Sequence, residues 1–224
     1  MAMHSDRPSV IVAGSTGLVG RQLVQRLLAD RHTGTVHALM RRDVPHYPTS
    51  KRLLKHLVDF AAIEKMPLAY ECYIALGTTI KAAGSQEAFR AVDFHAVLAV
   101  AQAARASGVA RLALVSALGA DEMSNVFYNR VKGDAEDAVA GIGFERVVIA
   151  RPSLILGNRA ELGQRKRPLE SAVQTLAKPV MRLIPAKWRP IEASVIARGL
   201  VRSLRADGPS VQVLESAALL AAGT

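Results

Sequence analysis

Residues 10–20 read Val-Ile-Val-Ala-Gly-Ser-Thr-Gly-Leu-Val-Gly. Val10 to Ala13 are small or apolar and run straight into Gly14, Gly17 and Gly20, each three apart. Leu23, Val24, Leu27 and Leu28 follow at helical spacing. The stretch predicts a buried strand, a tight turn and a helix start. A turn of this kind holds a dinucleotide pyrophosphate against helix N–H groups. The first glycine makes the turn, the second lets the backbone approach the phosphates, and the third lets the helix pack close to the strand. The spacing is G-x-x-G-x-x-G, not the commoner G-x-G-x-x-G. Ser15, Thr16, Leu18 and Val19 complete the candidate cofactor-binding turn.

Outward from this stretch, strand-like and helix-like segments alternate. Ser9–Ala13, Thr35–Met40, Leu53–Asp59, Tyr70–Leu76, Arg111–Ser116 and Phe144–Arg151 read as strands. Gly17–Asp30, Gln86–Ser107 and Asn125–Ala140 read as helices, the second stopped by Gly108 at its C′ position. This rhythm predicts an α/β fold, a doubly wound parallel sheet with helices on both faces. Right-handed crossovers give the strand order 3-2-1-4-5-6, with ligands at the carboxyl ends of the strands. Beyond Pro152 the rhythm breaks. Helices are expected at 168–183 and 192–205 and a short strand at Val211–Leu214. The expected division is a Rossmann domain over 8–152 and a small C-terminal substrate lobe over 153–224, packed on the same domain.

The bulk numbers fit one such domain. The chain has 224 residues, 50% of them hydrophobic, with one cysteine. Cys72 lies in an apolar run, reads as a buried core thiol, and excludes an internal disulfide. No apolar run is long enough to span a bilayer. Met1–Arg7 lacks the apolar stretch of a signal peptide, so a cytoplasmic protein is expected. Residues 146–205 hold 13 Lys or Arg against three acids, so the whole net charge of +10 belongs to them. Such a surface suits an anionic substrate or a protein partner, or is simply solvated. With five Phe, one Trp and no nucleic-acid motif, nucleic acid is a poor candidate. The six histidines show no metal-ligand spacing. The long apolar helix 86–106 could serve as a homodimer face, although core packing explains it equally.

The end of the second strand discriminates between cofactors. An Asp or Glu there would hold an NAD ribose hydroxyl; the chain instead has Arg41-Arg42. A guanidinium suits a 2′-phosphate, so NADP(H) is expected over NAD(H). Asp43 falls too late and is expected to point elsewhere. Asp59 could hydrogen-bond the adenine amino group or only cap a turn. Phe60 follows it, and Leu76, Gly77 and Thr78 close the fourth strand, where small residues let the backbone pass the cofactor.

The catalytic candidates are Ser116, Tyr128 and Lys132. Tyr128 and Lys132 form Y-x-x-x-K, which puts phenol and ammonium on one helical face. A cation there makes the phenol a competent acid or base for carbonyl–alcohol interconversion. Ser116, ending the preceding strand, would hydrogen-bond the substrate oxygen.

On these motifs, with Val115-Ser116-Ala117 and Arg151-Pro152-Ser153, the sequence resembles an extended or atypical short-chain dehydrogenase/reductase from Ser9 to about Ile196. Leu57-Val58-Asp59-Phe60, Lys81-Ala82-Ala83-Gly84, Leu118-Gly119-Ala120-Asp121, Phe127-Tyr128, Glu136 and Phe144-Glu145-Arg146 are similar to the Tat-interacting-protein-like oxidoreductases. The resemblance implies NADP(H) binding, catalytic roles for Ser116, Tyr128 and Lys132, and Arg151, Pro152 and Ser153 bordering the nicotinamide. Asp93 stands where many extended members carry Asn, and a carboxylate cannot donate as an amide does. Three functions are consistent with this reading: an NADP(H)-dependent oxidoreductase of a small carbonyl or alcohol, an NADPH-binding regulator, and an NAD-dependent epimerase or dehydratase. The short chain after the sixth strand argues against a nucleotide-sugar substrate.

Overall fold

The computed structural model describes residues 7–63, 65–157, 185 and 188–223. Strands β1 (Val10–Ala13), β2 (Val36–Met40), β3 (Leu53–Leu57), β4 (Glu71–Ile74), β5 (Arg111–Val115) and β6 (Arg146–Arg151) pair in parallel. Their order is the expected 3-2-1-4-5-6. The central strands bury both faces, as a parallel sheet between helical layers requires. Val10, Val12, Val36 and Ala38 face one layer, with helix α1 (Leu18–Ala29). Ile11, Ala13, Cys72 and Ile74 face the other, with α4 (Val97–Ala106) and α5 (Phe127–Ala140). Cys72 is fully buried, and that burial pushes its thiol up to about 12.

The connection after β4 departs from one continuous helix over 86–107. Short helices α2 (Ile80–Ala83) and α3 (Gln86–Arg90) are each started by a side-chain cap, Thr79 and Ser85. A π-helical segment, Ala91–Ala96, then leads into α4. The wider turn is a local feature that apolar periodicity does not encode, and π-turns recur at functional sites. Val97, Val100, Ala101 and Ala104 are all buried against the sheet, so core packing accounts for this apolar stripe. Gly108 follows the helix at φ +86°, the left-handed C′ position expected of it.

Residues 191–223, expected in a small lobe, form instead part of the same layered domain. After the short pair β7 (Ile155–Leu156) and β8 (Ile191–Glu192), helix α6 (Ala193–Arg205) presents Ile196, Ala197, Leu200, Val201 and Leu204 to the layer shared with α1. Strand β9 (Val211–Glu215) pairs in parallel with β6 and adds a seventh strand, and α7 (Ser216–Gly223) closes against α6. Burying the α6 stripe and filling the β6 edge place these residues in the sheet's own layers, not over its carboxyl edge. The helix expected at 168–183 lies outside the described residues.

Candidate functional site

The three glycines of the first turn do different things. Gly14 has φ +75°, and a Cβ there would lie 2.6 Å from the Ala75 carbonyl oxygen. A Cβ on Gly20 would lie 2.1 Å from the Gly14 carbonyl oxygen, so helix and strand meet backbone to backbone. Gly17 is different: its Cβ would meet only Gly14 O, at 3.4 Å. The fold does not demand a glycine there, but a ligand lying on the turn would. Gly17 caps α1 with no side-chain hydrogen bond, and the first turn carries no acid. The positive end of the helix therefore faces outward uncompensated.

A cleft of about 230 Å³ opens beside this turn. Gly14, Thr16 and Gly17 line one side, Arg41 and Arg42 another, and Phe60, Leu76 and Gly77 a third. Ser15 is fully buried, and its hydroxyl donates to the Leu39 carbonyl at 3.1 Å, tying the turn to β2. The Val19 side chain sits in the core, and that of Leu18 packs on Gly157. At these three positions the side chains serve the fold, which leaves only backbone toward the turn. Asp43 turns to Lys55 at 3.2 Å, and that hydrogen bond holds its carboxyl below the usual range. Asp59 accepts from the Ala61 N–H at 2.9 Å, a turn cap, and does not line the cleft.

Toward β5 the cleft meets a second group of residues. A Cβ on Gly77 would lie 3.7 Å from Lys132 Nζ and 3.3 Å from Asp93 Oδ1. Lys132 is 5% exposed and Asp93 is fully buried; their charged atoms are 2.7 Å apart. Asp93 Oδ2 also accepts the Thr78 N–H at 2.9 Å. One carboxylate thus joins the β4 loop, the π-helical segment and α5. Val92 and Ala96, on the same segment, line the cleft. Ser116 is 6% exposed, and its hydroxyl has no partner among the described residues. A buried hydroxyl without a partner is costly unless something else completes it. Tyr128 is half-buried, its ring 5.2 Å from that of Phe89.

Arg151 and Ser153 are committed within the fold. Arg151 grips Glu136 of α5 through Nε and Nη2 at 2.6–3.1 Å, and that pairing raises its pKa. The contact fixes α5, and with it Tyr128 and Lys132, to the end of β6. Ser153 donates its N–H to Ser216 Oγ and its hydroxyl to the Arg189 carbonyl, while the Pro152 carbonyl accepts from Leu118 N–H. The basic excess of residues 146–205 is likewise partly internal. Arg146 binds the Ser203 and Pro209 carbonyls, and Arg205 binds Glu71 and Asp30.

Two residues of the site were not assigned from the sequence. Asp93 is the sole acid between Glu87 and Asp121; an acid inside an apolar helical stripe signals a buried partner. Arg21 lines the cleft, and its place directly after the last glycine was the available signal. His37 and His56, dispersed in sequence, meet at 3.0 Å across β2 and β3, and burial, with His56 nearby, pushes His37 down to about 4. Among the described residues no group of three or more His, Cys, Asp or Glu could hold a metal, and no helix is long and apolar enough to cross a membrane.

Residues 14–154 match a family described as NAD(P)H-binding. The chain is 34% identical over 179 residues to the protein named fmp52, mitochondrial, of Emericella nidulans, covering 75% of this chain and 74% of that one. It is 31% identical over 218 residues to fmp52-1, mitochondrial, of Aspergillus terreus, covering 90% and 91%. Among solved structures, MoeE5 in complex with UDP-glucose and NAD superposes at a TM-score of 0.70 and 17% identity, over 92% of this chain and 75% of that one. The human epimerase family protein SDR39U1 with NADPH superposes at 0.62 and 18%, over 92% and 72%. At these identities the two structures speak for the fold alone. The relatives' names overturn the cytoplasmic expectation, since they point to mitochondria. A targeting signal is read by its own receptors and leaves no mark on the periodicity of a folded domain.

Proposed function

The chain belongs to the NAD(P)H-binding family, and from that premise we propose that it is an NADP(H)-dependent oxidoreductase acting on a small carbonyl or alcohol. The observation that carries the reading is the Ser116 hydroxyl, buried at the carboxyl end of β5 without a partner among the described residues. It lies on the same edge of the sheet as the glycine turn and the Asp93–Lys132 pair. A hydroxyl in that state suits a substrate oxygen. The open side of Gly17 and the arginines of the cleft support the dinucleotide half of the reading. The names of the fungal relatives favour mitochondria as the compartment.

A bound nicotinamide supplies a hydride to the carbonyl carbon, or takes one from the alcohol. In the proposed reduction, Ser116 donates a hydrogen bond to the substrate oxygen, and Tyr128 gives that oxygen its proton. Lys132, one helical turn on, stabilises the phenolate left behind. Asp93 holds Lys132 in place and, through Thr78, ties it to the loop that would pass the cofactor. Arg41 and Arg42 would face the 2′-phosphate.

The test is NADPH oxidation against a panel of small carbonyls, with Tyr128→Phe as the comparison. The expected result is turnover by the native protein and a loss of at least about 100-fold in the variant, with NADPH affinity unchanged. No turnover across the panel, or equal turnover by the variant, would overturn the assignment.

A further inference from the structure

We propose that Arg21 is a third reader of the cofactor's 2′-phosphate and sets selectivity for NADPH over NADH together with Arg41 and Arg42. The inference rests on the cofactor reading above and deepens it. The cleft beside the glycine turn is lined by three guanidinium groups and, among the described residues, by no carboxylate. The nearest acid in sequence, Asp43, is held by Lys55. A pyrophosphate on the turn faces the helix N–H groups, which leaves the arginines for a further anion. A phosphate monoester carries about two negative charges near neutral pH; a ribose diol carries none. A cleft with this charge favours the phosphorylated ribose.

Arg21 differs from the other two in how it is held. Its guanidinium carbon lies 5.6 Å from the Tyr47 ring centroid, and Nη1 donates to the His46 carbonyl at 3.3 Å. Tyr47 is itself 6% exposed, and its hydroxyl donates to the Ser15 carbonyl, inside the glycine turn. Arg21 therefore stands between the turn and the chain that follows β2. Its Nε is buried and has no acceptor among the described residues. Arg41 and Arg42 are exposed and must be ordered when a ligand arrives. A planar donor already in place loses less entropy on forming its hydrogen bonds.

The experiment is calorimetric titration of the native protein, Arg21→Gln and Arg21→Lys. The ligands are NADPH, NADH, adenosine 2′,5′-bisphosphate and adenosine 5′-monophosphate. Arg21→Gln is expected to weaken NADPH and the bisphosphate by about tenfold and leave NADH and the monophosphate within about twofold. Arg21→Lys keeps the charge but not the fork and falls between. Equal loss for NADPH and NADH, or no loss for either, would overturn the role of Arg21. A native protein that prefers NADPH, with the preference intact in Arg21→Gln, sinks this inference alone. A native protein with no preference sinks the NADP(H) reading and this inference together.

Discussion

At the amino ends of the strands, Glu71 is 3% exposed and accepts from Arg205 through both carboxylate oxygens at 2.8–3.1 Å. At the carboxyl end of β5, Ser116 is nearly as buried, and its hydroxyl has no partner among the described residues. The amino edge is built mostly from completed contacts, with the buried Arg111 Nε at the start of β5 as an exception. Arg205 also reaches Asp30 and Thr33, Tyr73 donates to Glu71 at 2.7 Å, and Arg146 fastens β6 to the carbonyls of Ser203 and Pro209. Burial works against the Arg205 charge, but its hydrogen bonds to Glu71 and Asp30 outweigh that and raise its pKa. The carboxyl edge mixes completed contacts, such as Arg151–Glu136 and Asp93–Lys132, with incomplete ones at Ser116, Gly17 and Arg21. Stability is concentrated at one end of the sheet, and capacity for a ligand at the other.

If that division holds, Arg205→Ala should have the largest effect on folding. It leaves Glu71 buried without its cation, which costs about 3–5 kcal/mol. Chemical denaturation should register that loss, while NADPH affinity in the folded protein stays unchanged. A parallel loss of affinity would break the division.

The His37–His56 pair makes a smaller, pH-dependent contribution. The folded pKa of His37 lies near 4, below the ordinary 6.5 of an unfolded histidine. The unfolded chain therefore binds the extra proton between these values, and stability rises with pH across that window. The contribution is complete above pH 6.5 and is lost as pH falls toward 4, by roughly 2–3 kcal/mol. Denaturation midpoints at pH 7 and pH 5 should differ accordingly, and His37→Gln should flatten the difference.

Asp93→Asn sharpens the comparison at the carboxyl edge. The carboxylate offers Oδ1 to Lys132 and Oδ2 to the Thr78 N–H; an amide would set its NH2, a donor, against one of these two donors. We expect a loss of about 1–3 kcal/mol in stability, and a fall in kcat larger than any rise in KM for NADPH. Unchanged kcat would reduce Asp93 to a packing role. Ser116→Ala has the smallest expected effect on folding. Removing a buried hydroxyl that lacks a partner leaves stability unchanged or raises it by about 1 kcal/mol, while turnover falls. Clear destabilisation would mean that the fold uses the hydroxyl.

Much of the fold was legible in the sequence: the glycine turn rests on local spacing and the sheet order on the handedness of the crossovers. Ser116, Tyr128 and Lys132 were chosen by the same local spacing, and their catalytic roles are proposals. The amino edge was not legible, because Arg205 meets Asp30 and Glu71 across most of the chain and no periodicity links them. Val211–Leu214 looked like a short strand, but its place beside β6 depends on where α6 delivers it. The π-helical turn at Ala91–Ala96 was hidden because its residues suit an ordinary helix equally well. Asp93 could be noticed, but its partners lie 15 and 39 positions away. The mitochondrial names of the relatives lay beyond anything the folded domain's pattern carries.

Gly17 tests the central claim most directly, because the fold leaves space at its Cβ position and the proposed cofactor would fill it. Its φ of −77° and ψ of 174° are extended values that valine adopts without strain. The measurement is calorimetric titration of Gly17→Val with NADPH, beside its denaturation curve. The account predicts stability within about 1 kcal/mol of the native protein and NADPH affinity at least about tenfold weaker. Native affinity in a folded Gly17→Val protein would contradict it.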